Sequence, residues 1–247
     1  AIDGRYEYRL SGTRGTVTFL GLSTHKGSYG QSGDLPPTGF LDSTDLEVND
    51  DGTVEIILSA TPQKSGNWLP MEQDTGMLIV RQTFGDKEKE TPAELTLERI
   101  GGDGQPSQLT AQRIDEGLTK ASTLVAGASM LFAKWARDFQ SHTNELPQFD
   151  PDKSTAAGGD PDIAYYHSYW SLGPNEALLI EADPPECETW NFQLNNHWME
   201  SLDYRYFRIH INKYTAALEA DGSVKIIVAH EDPGHPNWIQ TAGHRQG

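Results

Sequence analysis

Apolar and polar residues alternate with a period of two along the first hundred residues, in short runs separated by Gly, Pro and Asp. This period is typical of strands that bury one face. The alternation therefore predicts a β-rich first half. The predicted strands are 5–11, 16–22, 54–60, 77–83 and 94–100.

Turn residues suggest how these strands connect. Glycines between 5–11 and 16–22 predict one hairpin, and an Asp-Gly turn predicts a second hairpin that joins 45–48 to 54–60. The Gly-, Ser- and Pro-rich run 23–39 is predicted to be a long loop, and loops of this length are often functional.

The period then changes to about 3.5 residues, which is typical of an amphipathic helix. The helix, or a broken pair of helices, is predicted over 110–141, with its apolar stripe packed against a core. The stripe consists of Ile114, Leu118, Ala121, Val125, Ala128, Phe132, Trp135 and Phe139.

Strand patterns return after a Pro-, Asp- and Gly-rich connection at 146–159. The chain is thus divided into a first β half at 1–105, a helical insertion at 106–145 and a second β half at 146–247. The strands predicted in the second half are 177–181, 188–195, 204–212, 215–219 and 224–230.

An internal repeat relates the two β halves. A shift of 170 residues aligns 51–69 with 221–239, with seven of 19 positions identical, and it places Asn67-Trp68 on Asn237-Trp238. Self-similarity of this kind normally reports a repeated supersecondary unit. We therefore predict two jelly-roll-like or β-sandwich halves, in which both Asn-Trp pairs plug the core.

The same alignment predicts a further strand beyond the second copy. In the first copy the strand 77–83 follows the Asn-Trp motif, whereas the second copy reaches Gly247 one residue after the corresponding glycine. A sheet edge without its partner strand is an aggregation hazard. We expect the natural chain to continue with a strand that matches 77–83.

Four segments together resemble a bacterial family catalogued as domain of unknown function 1214, which often accompanies domain of unknown function 1254. The segments are 65–70, 80–82, 188–194 and 232–238, and the likeness extends from about Tyr6 to Gly247. The resemblance implies a jelly-roll-like β architecture with helical insertions. It implies no established reaction, so it assigns no catalytic residue.

Charge and composition exclude several classes of function. The chain has 36 acidic against 19 basic residues and a net charge of -17, which argues against a nucleic-acid partner. No apolar stretch is long enough for a membrane span. Cys187 is the single cysteine, so no internal disulfide is available and the redox compartment stays open. The chain fits either a cytoplasmic protein or one exported after cleavage of a preceding segment.

Neutral polar and aromatic side chains point to a binding cleft in the second half. Strands 188–195 and 204–212 each set an apolar face against a face of amides, tyrosines or histidines, and such faces are suited to hydroxyl groups or a planar polar ligand. We therefore predict a binding module for a hydroxyl-rich, sugar-like small molecule. The predicted ligand-binding residues are Tyr165, Tyr166, Trp170, Asn191, Gln193, Tyr204 and Tyr206.

A hydrolase or lyase in the same cleft is the alternative hypothesis. A histidine beside a carboxylate can act as a general base near neutral pH. The candidate bases are His167, His210 and His230, and the candidate carboxylates are Glu186, Glu188 and Asp203, with Glu188 preferred. The sequence contains no HExxH motif, nucleophile elbow or phosphate-binding loop, so no metal and no cofactor are predicted.

Overall fold

A computed structural model describes residues 1–27, 35–102 and 108–247 of the chain. Strands in several sheets and one long helix make up most of its secondary structure, which confirms the predicted mainly β fold with a helical insertion. Residues 28–34 of the predicted loop at 23–39 lie outside the described residues, as does the predicted boundary at 105/106. The loop prediction is wrong at 23–26 and 37–39, because these residues belong to strands.

The chain divides into two compact units, each built from two segments. Unit 1 consists of Ala1–Ser129 and Asp150–Tyr165, and unit 2 consists of Met130–Phe149 and Tyr166–Gly247.

Unit 1 contains two sheets that share one apolar core. The strands are β1 Tyr8–Thr13, β2 Phe19–Lys26, β3 Pro37–Asp42, β4 Thr53–Ser59, β5 Asn67–Pro70, β6 Thr75–Thr83 and β7 Glu94–Arg99. One sheet has the order β5-β4-β1-β7 and the other has the order β3-β2-β6. Leu10 and Ile56, which are paired across β1 and β4, lie in the same buried cluster as Leu20 and Leu22 of β2.

Two of the predicted hairpins are wrong. β1 pairs with β4 and β7, whereas β2 pairs with β3 and β6, so these consecutive strands belong to different sheets. Residues 45–48 form no strand, although the Asp-Gly turn that follows them is present, with the Gly52 N–H donating to the Asn49 carbonyl.

Unit 2 also has two sheets around one core. Its strands are β8 Ala177–Ala182, β9 Asn191–Gln193, β10 His210–Asn212, β11 Val224–Ala229 and β12 Trp238–Gln240. The sheets have the orders β12-β11-β8 and β10-β9. Ile226 and Val228 of β11 are buried in the same cluster as Ile211 of β10. The predicted strand at 215–219 is reduced to an isolated bridge at Leu218, because Asn212 caps a turn by accepting hydrogen bonds from Tyr214 and Thr215.

Along the chain, the helices come after β7 and before β8. Helix α1, Ala111–Phe139, is followed by a short 3-10 helix at Gln140–His142. Helix α2, Pro151–Ala156, begins after Asp150, whose carboxylate accepts the backbone N–H of Asp152 and Lys153. The predicted core face of α1 is wrong for most of its length in the described chain, because only Ala136 and Phe139 of this helix are buried.

The two Asn-Trp motifs make the same contacts at positions 170 residues apart. The Asn67 amide donates to the Glu47 and Glu55 carbonyls and accepts the Glu47 N–H. The Asn237 amide does the same with Ala217 and Lys225. The indole N–H of each tryptophan donates to the last residue of the neighbouring strand, Ser59 in one copy and Ala229 in the other.

The side chains that plug the two cores are the ones after the tryptophans. Leu69 and Ile239 are fully buried, whereas Trp68 and Trp238 are half-buried. The predicted role of the tryptophans as core plugs is therefore wrong. The reason is that the Asn-Trp segments are strands, running parallel to β4 and β11, and only alternate side chains of a strand face the core.

Candidate functional site

Neutral polar side chains line the exposed face of the β9–β10 pair. Gln193 lies directly opposite His210, and Asn191 lies opposite Asn212 in the antiparallel register. Because side chains alternate along a strand, Asn191, Gln193 and His210 share one face, and all three residues are exposed. Phe192 and Ile211 point to the opposite face and pack in the core of unit 2. We call Asn191, Gln193 and His210 the polar face.

The polar face offers donors and acceptors and contains no carboxylate, ammonium or guanidinium group. The Gln193 side-chain amide donates to the Asn195 side-chain oxygen at 2.9 Å, which orients the amide along the strand. Amides and an imidazole both donate and accept, so one solute hydroxyl can make two hydrogen bonds with such a surface. This arrangement is suited to neutral, polar solutes.

The two tyrosines of the predicted site lie in a turn that precedes β10. Backbone N–H groups of Tyr206 and Phe207 donate to the Asp203 carbonyl, and the Asp203 carboxylate binds Arg205 at 2.9 Å. The predicted strand at 204–212 is therefore wrong before residue 210, because Asp203 closes a turn where the alternation predicted extended chain. Tyr204 and Tyr206 are nevertheless well exposed, at 53% and 78%.

The aromatic segment 165–170 is divided among different environments. In unit 1, the Tyr165 hydroxyl accepts the Asp160 N–H at 3.4 Å. In unit 2, Tyr166 is exposed, whereas Trp170 is buried in the core and donates its indole N–H to the Asn195 carbonyl at 3.1 Å. Trp170 thus holds the strand that carries the polar face and presents no free ring to a ligand.

The candidate catalytic groups also have separate surroundings. His167 stacks on Phe139 with ring centres 5.1 Å apart, and its burial lowers the pKa of the imidazole. Both ring nitrogens of His230 are engaged, with the Thr241 hydroxyl at 2.8 Å and the Gly173 carbonyl at 3.2 Å. Glu188 is exposed, in the segment before β9. Of these four groups, His210 alone belongs to the polar face.

A buried polar network in unit 1 was missed by the sequence analysis. Ser23, Thr24 and His25 lie on β2 and have no exposed surface. The His25 Nδ1 is 2.9 Å from the Leu35 carbonyl, and Nε2 is 2.8 Å from the Ser23 hydroxyl. A carbonyl can only accept, so in the neutral ring Nδ1 carries the proton and Nε2 accepts from Ser23.

Charged groups complete this network. Arg81 of β6 donates to the Ser23 hydroxyl at 3.0 Å and to the Gly158 carbonyl. Burial lowers the pKa of His25; the Leu35 hydrogen bond opposes this shift, the charge of Arg81 adds to it and the charge of Asp160 opposes it. With no exposed surface, the Ser23–His25 pair stabilises the sheet and does not meet a solute. Its signal in the sequence was the alternation Leu20, Leu22, Thr24, which continues into the predicted loop.

Neither a metal site nor a membrane-spanning helix is found in the part of the chain that the structure describes. No group of three or more His, Cys, Asp or Glu side chains there is arranged to hold a metal ion. None of the described helices is both long enough and apolar enough to cross a bilayer.

These features define a mainly β protein of two compact units, with one long helix that follows β7 along the chain. The chain belongs to the family described as protein of unknown function DUF1214, whose model matches residues 1–85 and 168–246.

Two solved structures resemble the whole chain. An uncharacterised protein from Burkholderia cenocepacia is 52% identical with a TM-score of 0.96, over 100% of this chain and 68% of that chain. The VPA0106 protein from Vibrio parahaemolyticus is 12% identical with a TM-score of 0.55, over 99% of this chain and 80% of that chain, and it shows similarity of fold alone. Comparison with curated proteins found no match.

Proposed function

We propose that unit 2 is a binding module that holds a hydroxyl-rich, sugar-like small molecule on its polar face. The observation that carries the proposal is the direct pairing of Gln193 and His210 across β9 and β10, with both residues exposed. An exposed sheet face without function usually carries charged and β-branched residues, whereas this one carries amides and an imidazole.

Charge supports a neutral ligand over an anionic one. The chain carries a net charge of -17, which repels anions at long range. The polar face itself adds no carboxylate, so neutral hydroxyl groups meet donors and acceptors there without electrostatic cost. Exposed rings at Tyr204, Tyr206 and Trp198 give unit 2 apolar surface on which a sugar ring can stack.

The proposal is tested by NMR titration of the ¹⁵N-labelled protein with glucose, maltose and glycerol as probes. We expect saturable shifts of the Asn191 and Gln193 side-chain amides with at least one probe. Gln193→Ala should weaken that probe by about tenfold, which corresponds to roughly 1.4 kcal/mol for the lost hydrogen bonds.

Gln140→Ala is the matched control, because Gln140 is also an exposed amide of unit 2 but lies outside the polar face. It should leave the titration unchanged. Equal weakening by both substitutions, or shifts confined to residues outside β9 and β10, would contradict the proposal. Conversion of a probe during the titration would favour the hydrolase or lyase hypothesis instead.

A further inference from the structure

A short turn that begins just beyond the polar face presents an exposed tryptophan. Residues 196–200 form this turn, which we call the Trp198 turn, and an isolated bridge pairs Asn195 with Ser201 at its base. Trp198 lies in the middle of the turn and is 56% exposed, outside the buried core of unit 2. Its ring is therefore accessible to a ligand.

The backbone of the Trp198 turn is fixed by the side chain of Asn196. The Asn196 side-chain oxygen accepts the N–H of Trp198 at 2.9 Å and that of Glu200 at 3.1 Å, and its amide donates to the Glu200 carboxylate at 2.7 Å. Met199 has a φ of 63°, in the left-handed region that residues other than glycine rarely adopt. Such a conformation persists where the surrounding bonds determine it. The position of Trp198 is thus set before a ligand arrives, which lowers the entropic cost of binding.

The Trp198 ring also has a neighbour that restricts its rotation. His197 meets the indole edge to face, with ring centres 4.7 Å apart. The His197 Nδ1 lies 3.0 Å from the hydroxyl of Tyr169, which is 5% exposed. The buried tyrosine orients the imidazole, and the imidazole in turn limits the rotamers of the indole. Trp198 is therefore a rigid and exposed aromatic platform.

Asn195 connects the Trp198 turn to the polar face. Its side-chain oxygen accepts the Gln193 amide at 2.9 Å, and its backbone carbonyl accepts the Trp170 indole N–H at 3.1 Å. Trp198 follows three residues later, so the α-carbons of Asn195 and Trp198 are at most about 11 Å apart. Two linked sugar rings can cover such a span. One ligand can therefore meet the polar face and the tryptophan together.

We infer that the ligand is a short oligosaccharide, with one sugar unit on the polar face and the next unit stacked on Trp198. This inference rests on the proposed function and adds to it the ring form and the minimum size of the ligand. One face of a pyranose ring carries C–H groups that pack on the face of an indole, whereas an acyclic polyol such as glycerol has no such face. A monosaccharide occupies the polar face alone, so the second ring adds affinity.

NMR titration of the ¹⁵N-labelled protein with glucose, maltose and cellobiose tests the inference. We expect at least one disaccharide to bind about tenfold more tightly than glucose and to shift the Trp198 indole N–H signal. Trp198→Ala should reduce the affinity for that disaccharide to the affinity for glucose, while glucose still shifts the amides of the polar face. Trp198→Phe should keep part of the gain, because an aromatic ring remains.

Phe132→Ala is the matched control, because Phe132 is also an exposed aromatic side chain of unit 2, at 41%. It should leave both affinities unchanged. The inference alone would be overturned if polar-face shifts occurred but the wild-type protein bound no disaccharide more tightly than glucose. The same conclusion would follow if Trp198→Ala kept the preference for the disaccharide, or weakened glucose and the disaccharide equally. Absence of polar-face shifts with every probe would overturn the proposed function and this inference together.

Discussion

The two units hold the same strand register in their β2–β3 and β9–β10 pairs but bury these pairs differently. Leu22 lies opposite Leu41 in unit 1, and Phe192 lies opposite Ile211 in unit 2, both pairs being 170 residues apart. In unit 1, β2 is also paired with β6. In unit 2, β9 pairs with β10 and with no other strand among the described residues.

Polar side chains of β2 and those 170 positions later, in and after β9, show the same difference in burial. Ser23 and His25 of β2 are fully buried, and each finds hydrogen-bond partners within the unit. The residues 170 positions later are Gln193, which is exposed, and Asn195, which is half-buried. A buried polar group must be paired within the protein, whereas an exposed amide can bind water or a ligand. One backbone arrangement thus supports a rigid network in unit 1 and an open polar surface in unit 2.

Equivalent core residues provide the largest test of this comparison. Ile56 is 0% exposed and Ile226 is 3% exposed, and the two lie 170 residues apart in β4 and β11. Ile56→Ala and Ile226→Ala should each cost about 2 to 5 kcal/mol, because each leaves a cavity in a packed core.

Hydrogen exchange of the β4 and β11 amides, read by mass spectrometry in increasing denaturant, measures both losses. Val80→Ala is a control, because Val80 is 38% exposed in β6 and should cost far less. The equivalence of the two cores would be refuted if one isoleucine behaved like Val80.

Replacement of the two equivalent asparagines, Asn67 and Asn237, should cost different amounts of stability. Asn237 is fully buried, whereas Asn67 is only partly buried, although the two amides bind backbone carbonyls at equivalent positions, 47 and 55 in one copy and 217 and 225 in the other. Asn237→Ala would remove a fully buried amide and three part-buried hydrogen bonds and should cost about 3 kcal/mol, whereas water can replace the more exposed amide at Asn67 and reduce the cost to about 1 kcal/mol. Denaturant unfolding of both variants checks the difference, and equal costs would show that water reaches neither site or both.

Replacement of Trp68 and of Trp238 should cost nearly the same amount of stability. The indole N–H of Trp68 donates to the Ser59 carbonyl at 3.2 Å, and that of Trp238 donates to the Ala229 carbonyl at 3.0 Å. Replacement of either by Phe keeps an aromatic ring and removes this bond, so each should cost about 1 kcal/mol. Denaturant midpoints at an unchanged m-value measure the cost. A loss of several kcal/mol in one copy alone would mean that this indole plugs a core after all.

Local patterns in the sequence predicted those parts of the fold that depend on local chemistry. The Asp-Gly turns and the alternation at 54–60 and 224–230 placed β4 and β11 within a residue of their observed ends. Strand pairing could not be read in this way. β1 lies between β4 and β7, far along the chain, and the glycines after β1 carry no information about such distant partners.

The candidate site was partly predictable for the same reason. Alternation along 188–195 correctly set Asn191 and Gln193 on the face opposite Phe192. It failed at Tyr204 and Tyr206, because the carboxylate of Asp203 stabilises a turn that competes with extended chain. It also left out His25. The Gly- and Ser-rich composition after Leu22 favoured a loop, whereas β2 continues to Lys26.

Acid should lower the free energy of unfolding of both units, and this loss should be absent at neutral pH. Each unit holds an imidazole whose pKa is lowered by burial, His25 in unit 1 and His167 in unit 2. The unfolded chain, with histidine pKa values near about 6.5, then binds more protons than the folded chain as the pH falls below that value. The stability that neutral histidine contributes is therefore complete above about pH 6.5, and it is lost as the pH falls through the folded pKa values.

This slope is measured by denaturant unfolding at several pH values between about 7.5 and about 4.5, a range that extends to both sides of the histidine pKa. His167→Phe should remove the part of the slope that belongs to unit 2, since a ring of similar shape can keep the stack on Phe139. His142→Phe is the control, because it replaces an exposed histidine that lies outside this stack. Stability that rose as the pH fell from 6.5 would contradict the burial of both imidazoles in their neutral form.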